Sequence, residues 1–286
     1  DNYEEFPIDI DHIWETNELE IDKIMKGARK IHILHGHYTP TTAVHNNIDK
    51  IDSIVFHNLS KVSMIGQMQK DEYLHWYGNW EWETELINKI KNKVWIGLYD
   101  LYEDVFDGYE TIPSYYEFRI NKQLSQSTKI GFTSRCESRK NPHYLDGLKS
   151  FIFTDSNEFN IVWRGGVKID TTKSKVYHYK SEFKDKFYDM DWGISHSCFA
   201  SEPFGYGIFE AVDRGKLPIL NTQYMKDLEY PYRASSKTEF VNIYNSILET
   251  PYEEKNKWFL HLKKHMVNNF TDKEQWIRSL LDIYNI

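Results

Sequence analysis

The sequence predicts an α/β protein with two parallel sheets, one in each half of the chain. Short apolar runs alternate with segments that can be helical throughout residues 128–286, which is the pattern of a doubly wound parallel sheet. Further apolar runs of strand length occur between residues 31 and 99. With 286 residues, 40% of them hydrophobic and 16% aromatic, the chain can bury the cores of two domains.

The first domain is predicted over residues 1–112. Its buried strands are expected in three continuous apolar runs, at residues 31–34, 53–56 and 94–99. An amphipathic helix is predicted between the last two strands, at residues 80–91. The polar stretch at residues 113–127 has no strand pattern and is predicted to be the linker to the second domain.

The second domain, residues 128–286, has the clearer pattern. Five strands are predicted, at residues 127–132, 159–163, 175–178, 192–195 and 217–220. Helices are predicted between these strands at residues 142–150, 182–188 and 206–214. Three closing helices are predicted at residues 237–248, 251–269 and 273–284, and the last of them can return to the first domain.

The charge is divided unevenly between the two halves. Residues 1–127 contain 12 Lys and Arg against 22 Asp and Glu, whereas the remaining residues are close to neutral, and the whole chain has a net charge of −8. An acidic first half repels a polyanion such as duplex DNA or an anionic bilayer, because no basic run offsets the charge. A nucleic-acid partner therefore requires a local basic patch.

Cysteine content and hydropathy limit the class of protein further. Cys136 and Cys198 can form one bridge at most and lack the spacing of metal ligands, so we expect free thiols and no zinc. No apolar run is long enough to span a membrane, and the acidic start lacks the features of a signal peptide. We therefore expect a cytoplasmic protein.

The stretch from Ser201 to Leu220 carries the strongest functional signal. It predicts a glycine-rich turn at Gly205, a short helix, a C-terminal glycine and an apolar strand, a layout that binds phosphate at the helix N-terminus. Glu202 precedes the turn and Glu210 lies within the helix, so both carboxylates can face a ligand held there. The alternative is an ordinary strand and helix unit whose glutamates are only solvated.

A pair of cations follows the first strand of the second domain. Arg135 and Lys140 lie in a polar loop that begins after Phe132, with four residues between them. Two fixed cations can stabilise the charge on a departing diphosphate, since Arg forks onto two phosphate oxygens and Lys adds a point charge. A solvated basic loop is the alternative, but both motifs in this order within one domain favour a diphosphate site.

Together the two motifs resemble those of the GT-B glycosyltransferases, especially the large retaining E-x7-E family (glycosyltransferase family 4-like). The resemblance covers residues 128–286 and implies two Rossmann-like domains that face a cleft. It implies that Arg135 and Lys140 bind the donor diphosphate. Glu202 would contact the donor sugar and Glu210 the nucleotide ribose.

The same resemblance implies further donor contacts from amides near Phe204 and Gly205. The first half departs from the family pattern, because the glycine-rich turn that opens a GT-B N-terminal domain is missing. That domain is therefore expected to be reduced or incomplete. Many relatives carry a His-Asp pair after the strand that residues 94–99 would match, and here only Asp100 is present. Asp100 would orient the sugar or acceptor hydroxyl, or simply form a turn.

The activity implied by the resemblance is transfer of a sugar from a nucleoside diphosphate sugar to a hydroxyl, with retention and without a metal or other cofactor. A glycan or other small hydroxyl compound is the expected acceptor. DNA with hydroxymethylated bases is the alternative, because the motif order and the Lys, Asn, Tyr and Asp richness also resemble the T-even phage DNA α-glucosyltransferase. An inactive nucleotide-sugar-binding module is a third alternative, given the missing histidine and the short first domain.

Overall fold

The computed structural model confirms an α/β protein with two five-stranded sheets. Contacts divide the chain into two compact units, Asp1–Ser114 with Asp272–Ile286, and Tyr115–Thr271. The structure describes residues 7–9, 31–35, 46–56, 88–97, 108, 110–136, 140–154, 169–178, 183–199 and 204–284.

The sheet of the first unit is parallel, with its strands in chain order. Its strands are β1 (Pro7–Asp9), β2 (Ile31–His35), β3 (Ile51–Phe56), β4 (Asn92–Ile96) and β5 (Glu110–Ile112). The strands β2, β3 and β4 were predicted. The strands β1 and β5 were not, because a strand of three residues is too short to show a period. The predicted helix at residues 80–91 lies largely outside the described residues.

The sheet of the second unit confirms the doubly wound prediction. Its strands are β6 (Ile130–Thr133), β7 (Ser150–Thr154), β8 (Lys175–His178), β9 (Ile194–Ser197) and β10 (Leu217–Leu220). All pair in parallel, in the order β10-β9-β6-β7-β8. The strands therefore follow one another outward from β6 to β8. The chain then returns to β9 beside β6, and β10 is the last strand, at the other edge of the sheet.

The prediction of a helix at residues 142–150 is wrong. Only Pro142–Leu145 is helical, as a short 3-10 turn. Gly147, with a φ of 79°, then reverses the chain, and β7 begins at Ser150. A positive φ cannot continue a helix, and the apolar run that follows is buried as a strand. The strand predicted at residues 159–163 lies outside the described residues.

The helices agree with the prediction to within two residues at each end. They are α1 (Lys184–Tyr188), α2 (Tyr206–Asp213), α3 (Lys237–Glu249), α4 (Tyr252–Phe270) and α5 (Lys273–Tyr284). The side chain of Ser236 caps α3 by accepting a hydrogen bond from the amide of Glu239. The helix α5 belongs to the first unit. Among the helices of the described residues, none has the length and apolar character needed to cross a bilayer.

An aromatic cluster forms part of the core of the second unit. Phe153 of β7 packs with Phe187, Tyr188 and Trp192, and each of the four is at most 2% exposed. Gly131 in β6 makes room for this cluster, because a Cβ at that position would lie 2.3 Å from the indole of Trp192. The sheet can therefore lie directly on the indole only with glycine at this position.

Residues 113–129 contain neither helix nor strand, and the part from Tyr115 onward belongs to the second unit. The buried carboxylate of Asp213, at the end of α2, fixes this segment. It accepts hydrogen bonds from the backbone amides of Arg119 at 3.2 Å, Ile120 at 3.1 Å and Asn121 at 2.6 Å. The carboxylate of Asp213 is thus one of several contacts that hold this irregular segment on α2.

Candidate functional site

The second sheet has a topological switch point between β6 and β9. These strands are neighbours, with Ile130 opposite Ile194. From β6 the chain continues to β7, toward one edge of the sheet, and from β9 it continues to β10, toward the opposite edge. In open parallel sheets, ligands bind in the crevice outside the carboxyl ends of two such strands. Both motifs follow these strands, with Arg135 and Lys140 after β6 and Gly205 after β9.

A pocket of about 450 Å³ opens at this crevice, and all of its lining residues belong to the second unit. Arg135, Lys140, Gly205 and Glu210 line it, so the structure brings together four of the predicted site residues. The remaining lining residues were not predicted: Thr133, Ser134, Phe153, Lys184, Phe199, Tyr206 and Gly207.

Lys140 lies in the pocket wall with its ammonium above an aromatic ring. The residue is only 6% exposed, and its Nζ lies 4.6 Å from the centre of the Phe199 ring. Phe199 follows β9, so this contact crosses from one loop to the other. Burial lowers the local dielectric and strengthens the attraction between the ammonium and an anion in the pocket.

Asn141 joins the two loops through its side chain and its backbone. Its φ of 50° and ψ of 41° place it in the left-handed region, which Asn tolerates better than most residues. Its Nδ2 donates a hydrogen bond to the carbonyl of Cys198 at 2.7 Å, and its own carbonyl lies 2.9 Å from His196 Nε2. These contacts fix the position of the adjacent Lys140.

His196 is neutral in this arrangement. Its Nδ1 accepts a hydrogen bond from the amide of Cys198 at 3.3 Å, so Nε2 carries the proton that is donated to the carbonyl of Asn141. Burial lowers the pKa of His196 to about 4, against the opposing effect of the hydrogen bond to Asn141. Its ring packs between aromatic side chains, including Tyr144 at 5.7 Å and Phe240 at 4.7 Å.

The turn that begins α2 is fixed by a glycine conformation and by aromatic packing. Gly205 has a φ of 76° and a ψ of 53°, the left-handed region that favours glycine. The ring of Phe204 is buried and stacks on Phe209 at 4.4 Å, and its carbonyl accepts a hydrogen bond from the hydroxyl of Tyr224 at 2.5 Å. Phe204 therefore contributes its ring to the core, while Tyr206 and Gly207, the first residues of α2, line the pocket.

Glu210 lies in the pocket wall with both carboxylate oxygens engaged. Lys184 Nζ donates to Oε1 at 2.6 Å, and the hydroxyl of Tyr188 donates to Oε2 at 3.4 Å. The same hydroxyl lies 3.2 Å from Thr133 Oγ1. Burial, and then the charge of Glu210, raise the pKa of Tyr188 far above its usual range. Tyr188 is thus a neutral hydrogen-bond donor at any physiological pH.

Arg233 fixes the loop that follows β10. Its guanidinium donates to five backbone carbonyls, those of Tyr230, Asn221, Tyr224, Met225 and Leu228. Burial lowers the pKa of Arg233 below its usual value. Because Tyr224 in this loop holds the carbonyl of Phe204, Arg233 supports the turn before α2 indirectly.

The fold is similar to that of solved glycosyltransferases at low sequence identity. A sucrose-phosphate synthase from Thermosynechococcus elongatus matches with a TM-score of 0.65 and 11% identity, over 95% of this chain and 79% of the other. A trehalose-6-phosphate synthase matches with a TM-score of 0.63 and 12% identity, over 96% and 79%. Phage T4 β-glucosyltransferase, in complex with its UDP-glucose substrate, matches with a TM-score of 0.50 and 11% identity, over 92% and 84%.

The chain has the GT-B fold. No protein-family model and no curated protein matches its sequence. The predicted fold class is therefore confirmed by structural similarity, not by sequence similarity.

Two predicted site residues, Glu202 and Asp100, lie outside the described residues, and their roles stay predictions. The structure adds three groups that sequence reasoning missed, namely Lys184 and Tyr188 beside Glu210, and Asn141 between the two loops. The Asn-Pro sequence at residues 141–142 was the one available signal for the last of these. Both cysteines are free, as predicted, and the structure shows that both are buried. Within the described ranges, no group of three His, Cys, Asp or Glu side chains is placed to hold a metal ion.

Proposed function

We propose that this protein is a retaining glycosyltransferase that moves a sugar from a nucleoside diphosphate sugar to the hydroxyl of a glycan or another small compound. The observation that carries the proposal is the convergence of Arg135, Lys140 and the N-terminus of α2 on one pocket at the switch point. Two cations and the positive end of a helix dipole form a site for a diphosphate. The GT-B fold, shared with a protein that holds UDP-glucose, supports this assignment.

The proposed chemistry places the charge of the leaving group against the two cations. The bond between the anomeric carbon and the diphosphate oxygen breaks as the acceptor oxygen bonds to that carbon. Arg135 and Lys140 stabilise the negative charge that develops on the departing diphosphate more than the charge of the bound donor. The acceptor proton passes to the departing diphosphate on the same face of the sugar. This arrangement requires no metal ion and no other cofactor.

Retention and the remaining roles rest on the motif resemblance. Retention is also supported by the shared fold with a trehalose-6-phosphate synthase that transfers glycosyl groups with retention. In the proposal Glu202 contacts the donor sugar, Glu210 contacts the ribose, and Asp100 orients the sugar or the acceptor hydroxyl. Amides near Phe204 and Gly205 bind the diphosphate. We place the reaction in the cytoplasm of a bacterium or of a virus-infected cell.

DNA with hydroxymethylated bases is the second candidate acceptor. The shared fold with phage T4 β-glucosyltransferase and the Lys, Asn, Tyr and Asp richness favour it. The excess of acidic residues over residues 1–127 counts against a polyanionic acceptor, so a glycan or small hydroxyl compound is preferred.

Donor turnover tests the proposal. UDP-glucose and other nucleoside diphosphate sugars are incubated with the protein alone, with candidate glycans and with hydroxymethylated DNA, and release of the nucleoside diphosphate is measured. Arg135→Ala and Lys140→Ala are each expected to lower kcat by roughly a hundredfold, the scale for loss of one preorganised electrostatic group. Lys149→Ala is the matched control, because Lys149 is exposed and does not line the pocket.

Three results test separate parts of the proposal: the diphosphate contacts, the catalytic activity and the stereochemistry. Wild-type turnover in both Ala variants would refute the proposal that Arg135 and Lys140 stabilise the departing diphosphate. Donor binding without hydrolysis or transfer to any acceptor would indicate an inactive binding module. The anomeric configuration of the product, measured by NMR, decides between retention and inversion.

A further inference from the structure

The contacts of Glu210 carry an inference beyond the transfer reaction. Its side chain is 27% exposed and lines the pocket, so it can meet a ligand. Among the described residues, two side chains donate to its carboxylate, one to each oxygen: Lys184 to Oε1 and Tyr188 to Oε2. A carboxylate oxygen can accept two hydrogen bonds. With respect to the residues that the structure describes, each oxygen therefore retains capacity for one more donor.

A carboxylate held in this way suits a ligand with two adjacent hydroxyl groups. A vicinal diol presents two donors at a spacing that matches the two oxygens of one carboxylate. The ribose of a ribonucleotide has such a diol, whereas a 2′-deoxyribose has only one of the two hydroxyls. A polar site built for both hydroxyls discriminates strongly against a ligand that lacks one, because an acceptor is then left without its donor.

The two donors to Glu210 are themselves fixed. Tyr188 is buried, with its hydroxyl against Thr133 and its ring against the guanidinium of Arg214 at 4.9 Å. Lys184 begins α1, so its backbone is held by the helix, and its ammonium lies 2.6 Å from Glu210. Without these donors the carboxylate of Glu210 would be free to rotate toward solvent.

We infer that Lys184 and Tyr188 are positioning residues that hold Glu210 for the ribose diol, and so set a preference for ribonucleotides over 2′-deoxyribonucleotides. The inference rests on the proposed function, since it takes the ligand to be a nucleoside diphosphate. It assigns Lys184 to the carboxylate and not to the phosphates, although this ammonium also lines the pocket.

Calorimetric titration with matched nucleotides tests the inference. UDP, GDP and ADP are titrated beside their 2′-deoxy forms into wild type, Lys184→Met, Lys184→Arg and Tyr188→Phe. Wild type is expected to bind the best ribonucleotide at least about tenfold more tightly than its 2′-deoxy form. In Lys184→Met, affinity for the ribonucleotide should fall by about tenfold and affinity for the 2′-deoxy form should hardly change.

The other variants separate this role from a structural one. Lys184→Arg should restore part of the preference, because Arg can still donate to Glu210. Tyr188→Phe keeps the buried ring and should reduce the preference less than Lys184→Met. Lys186→Met is the control, because Lys186 is an exposed lysine of the same helix that does not line the pocket.

Equal losses for ribonucleotide and 2′-deoxyribonucleotide in Lys184→Met would assign Lys184 to the phosphates and overturn the inference. A wild type that binds both forms equally would overturn it as well. Neither result bears on the proposed binding of the diphosphate by Arg135 and Lys140. That binding is tested separately by Arg135→Ala, which should weaken the binding of ribonucleotide and 2′-deoxyribonucleotide alike. If none of the three ribonucleoside diphosphates binds wild type, the proposed function fails together with the inference.

Discussion

The side-chain amide of Asn141 donates a hydrogen bond of 2.7 Å to the backbone carbonyl of Cys198. The two residues are 57 positions apart and lie in the loops that follow β6 and β9. Lys140 is the neighbour of Asn141, and its ammonium lies on Phe199, the neighbour of Cys198. The loop that carries Lys140 is therefore joined to the loop after β9 by a hydrogen bond between neutral groups and by a contact between an ammonium and an aromatic ring.

Replacement of Asn141 should loosen this junction. Asn141→Gly keeps the left-handed backbone and removes only the amide, so we expect a loss of about 1 kcal/mol in the free energy of unfolding. Diphosphate binding should weaken too, because Lys140 loses its support. Asn141→Ala should cost roughly 1 kcal/mol more, since a Cβ disfavours a φ of 50°. Urea denaturation and calorimetry measure both effects, and a glycine variant with wild-type stability and binding would contradict the assigned role.

The stability of the fold should depend on pH through His196. Its pKa is lowered to about 4 in the folded protein, against about 6.5 in the unfolded chain. Between these values the unfolded state binds more protons, so stability is full above about pH 6.5 and falls as the pH drops toward 4. The loss from this residue is about 3 kcal/mol on the scale of 1.36 kcal/mol per pKa unit.

His196→Gln isolates this contribution. Gln can donate to the carbonyl of Asn141 but does not titrate, so the variant should be less stable at pH 7 and should lose less stability between pH 6.5 and 4. His261→Gln is the control, because His261 is exposed on α4. Denaturation midpoints at several pH values test the prediction, which fails if the wild type and His196→Gln show the same pH dependence.

Much of the second unit could be predicted from the sequence because its elements are local patterns. The predicted limits of β8, β10 and α5 agree with those in the structure, because each is a local pattern of neighbouring residues. The strand β7 was missed because Pro142 and the residues after it resemble a helix start. The left-handed Gly147 stops that helix, and a positive φ is not visible in a single sequence.

In the candidate site, too, the residues of local motifs could be predicted, whereas those that depend on contacts distant in sequence could not. Arg135, Lys140, Gly205 and Glu210 were found because they belong to contiguous motifs with a chemical reason for their spacing. Lys184 could not be found, since its contact with Glu210 joins residues 26 positions apart on different helices. The contact of His196 with Asn141 spans 55 positions. Only the fold brings such pairs together.

Two glycines in the first motif should respond differently to alanine. Gly205 has a φ of 76°, so Gly205→Ala should cost about 1–2 kcal/mol of stability. Gly207 lies inside α2, and an added Cβ would come no closer than 3.7 Å to the carbonyl of Thr133. Gly207→Ala should therefore be neutral or stabilising by up to about 1 kcal/mol, through helix propensity. Thermal unfolding of both variants compares them, and equal losses would argue against a requirement for glycine at the turn.

The last prediction concerns Asp213 and the irregular segment that it holds. A carboxylate near the C-terminus of a helix is unfavourable for the helix dipole, so its place at the end of α2 requires a compensating contact. The amides of Arg119, Ile120 and Asn121 supply it. Asp213→Asn replaces one acceptor oxygen by a donor that faces these amides, and should cost about 2 kcal/mol, the scale for hydrogen bonds to a charged group.

Two measurements check this effect. The midpoint of thermal unfolding should fall by roughly 4–8 °C for a unit of this size. Trypsin should cleave faster after Arg119 and Lys122, because the released segment becomes accessible to the protease. Asp227→Asn, at an exposed position of the loop after β10, is the matched control and should change neither quantity. If Asp213→Asn were cleaved at the wild-type rate with an unchanged midpoint, the segment from residue 119 to 121 would owe its position to other contacts.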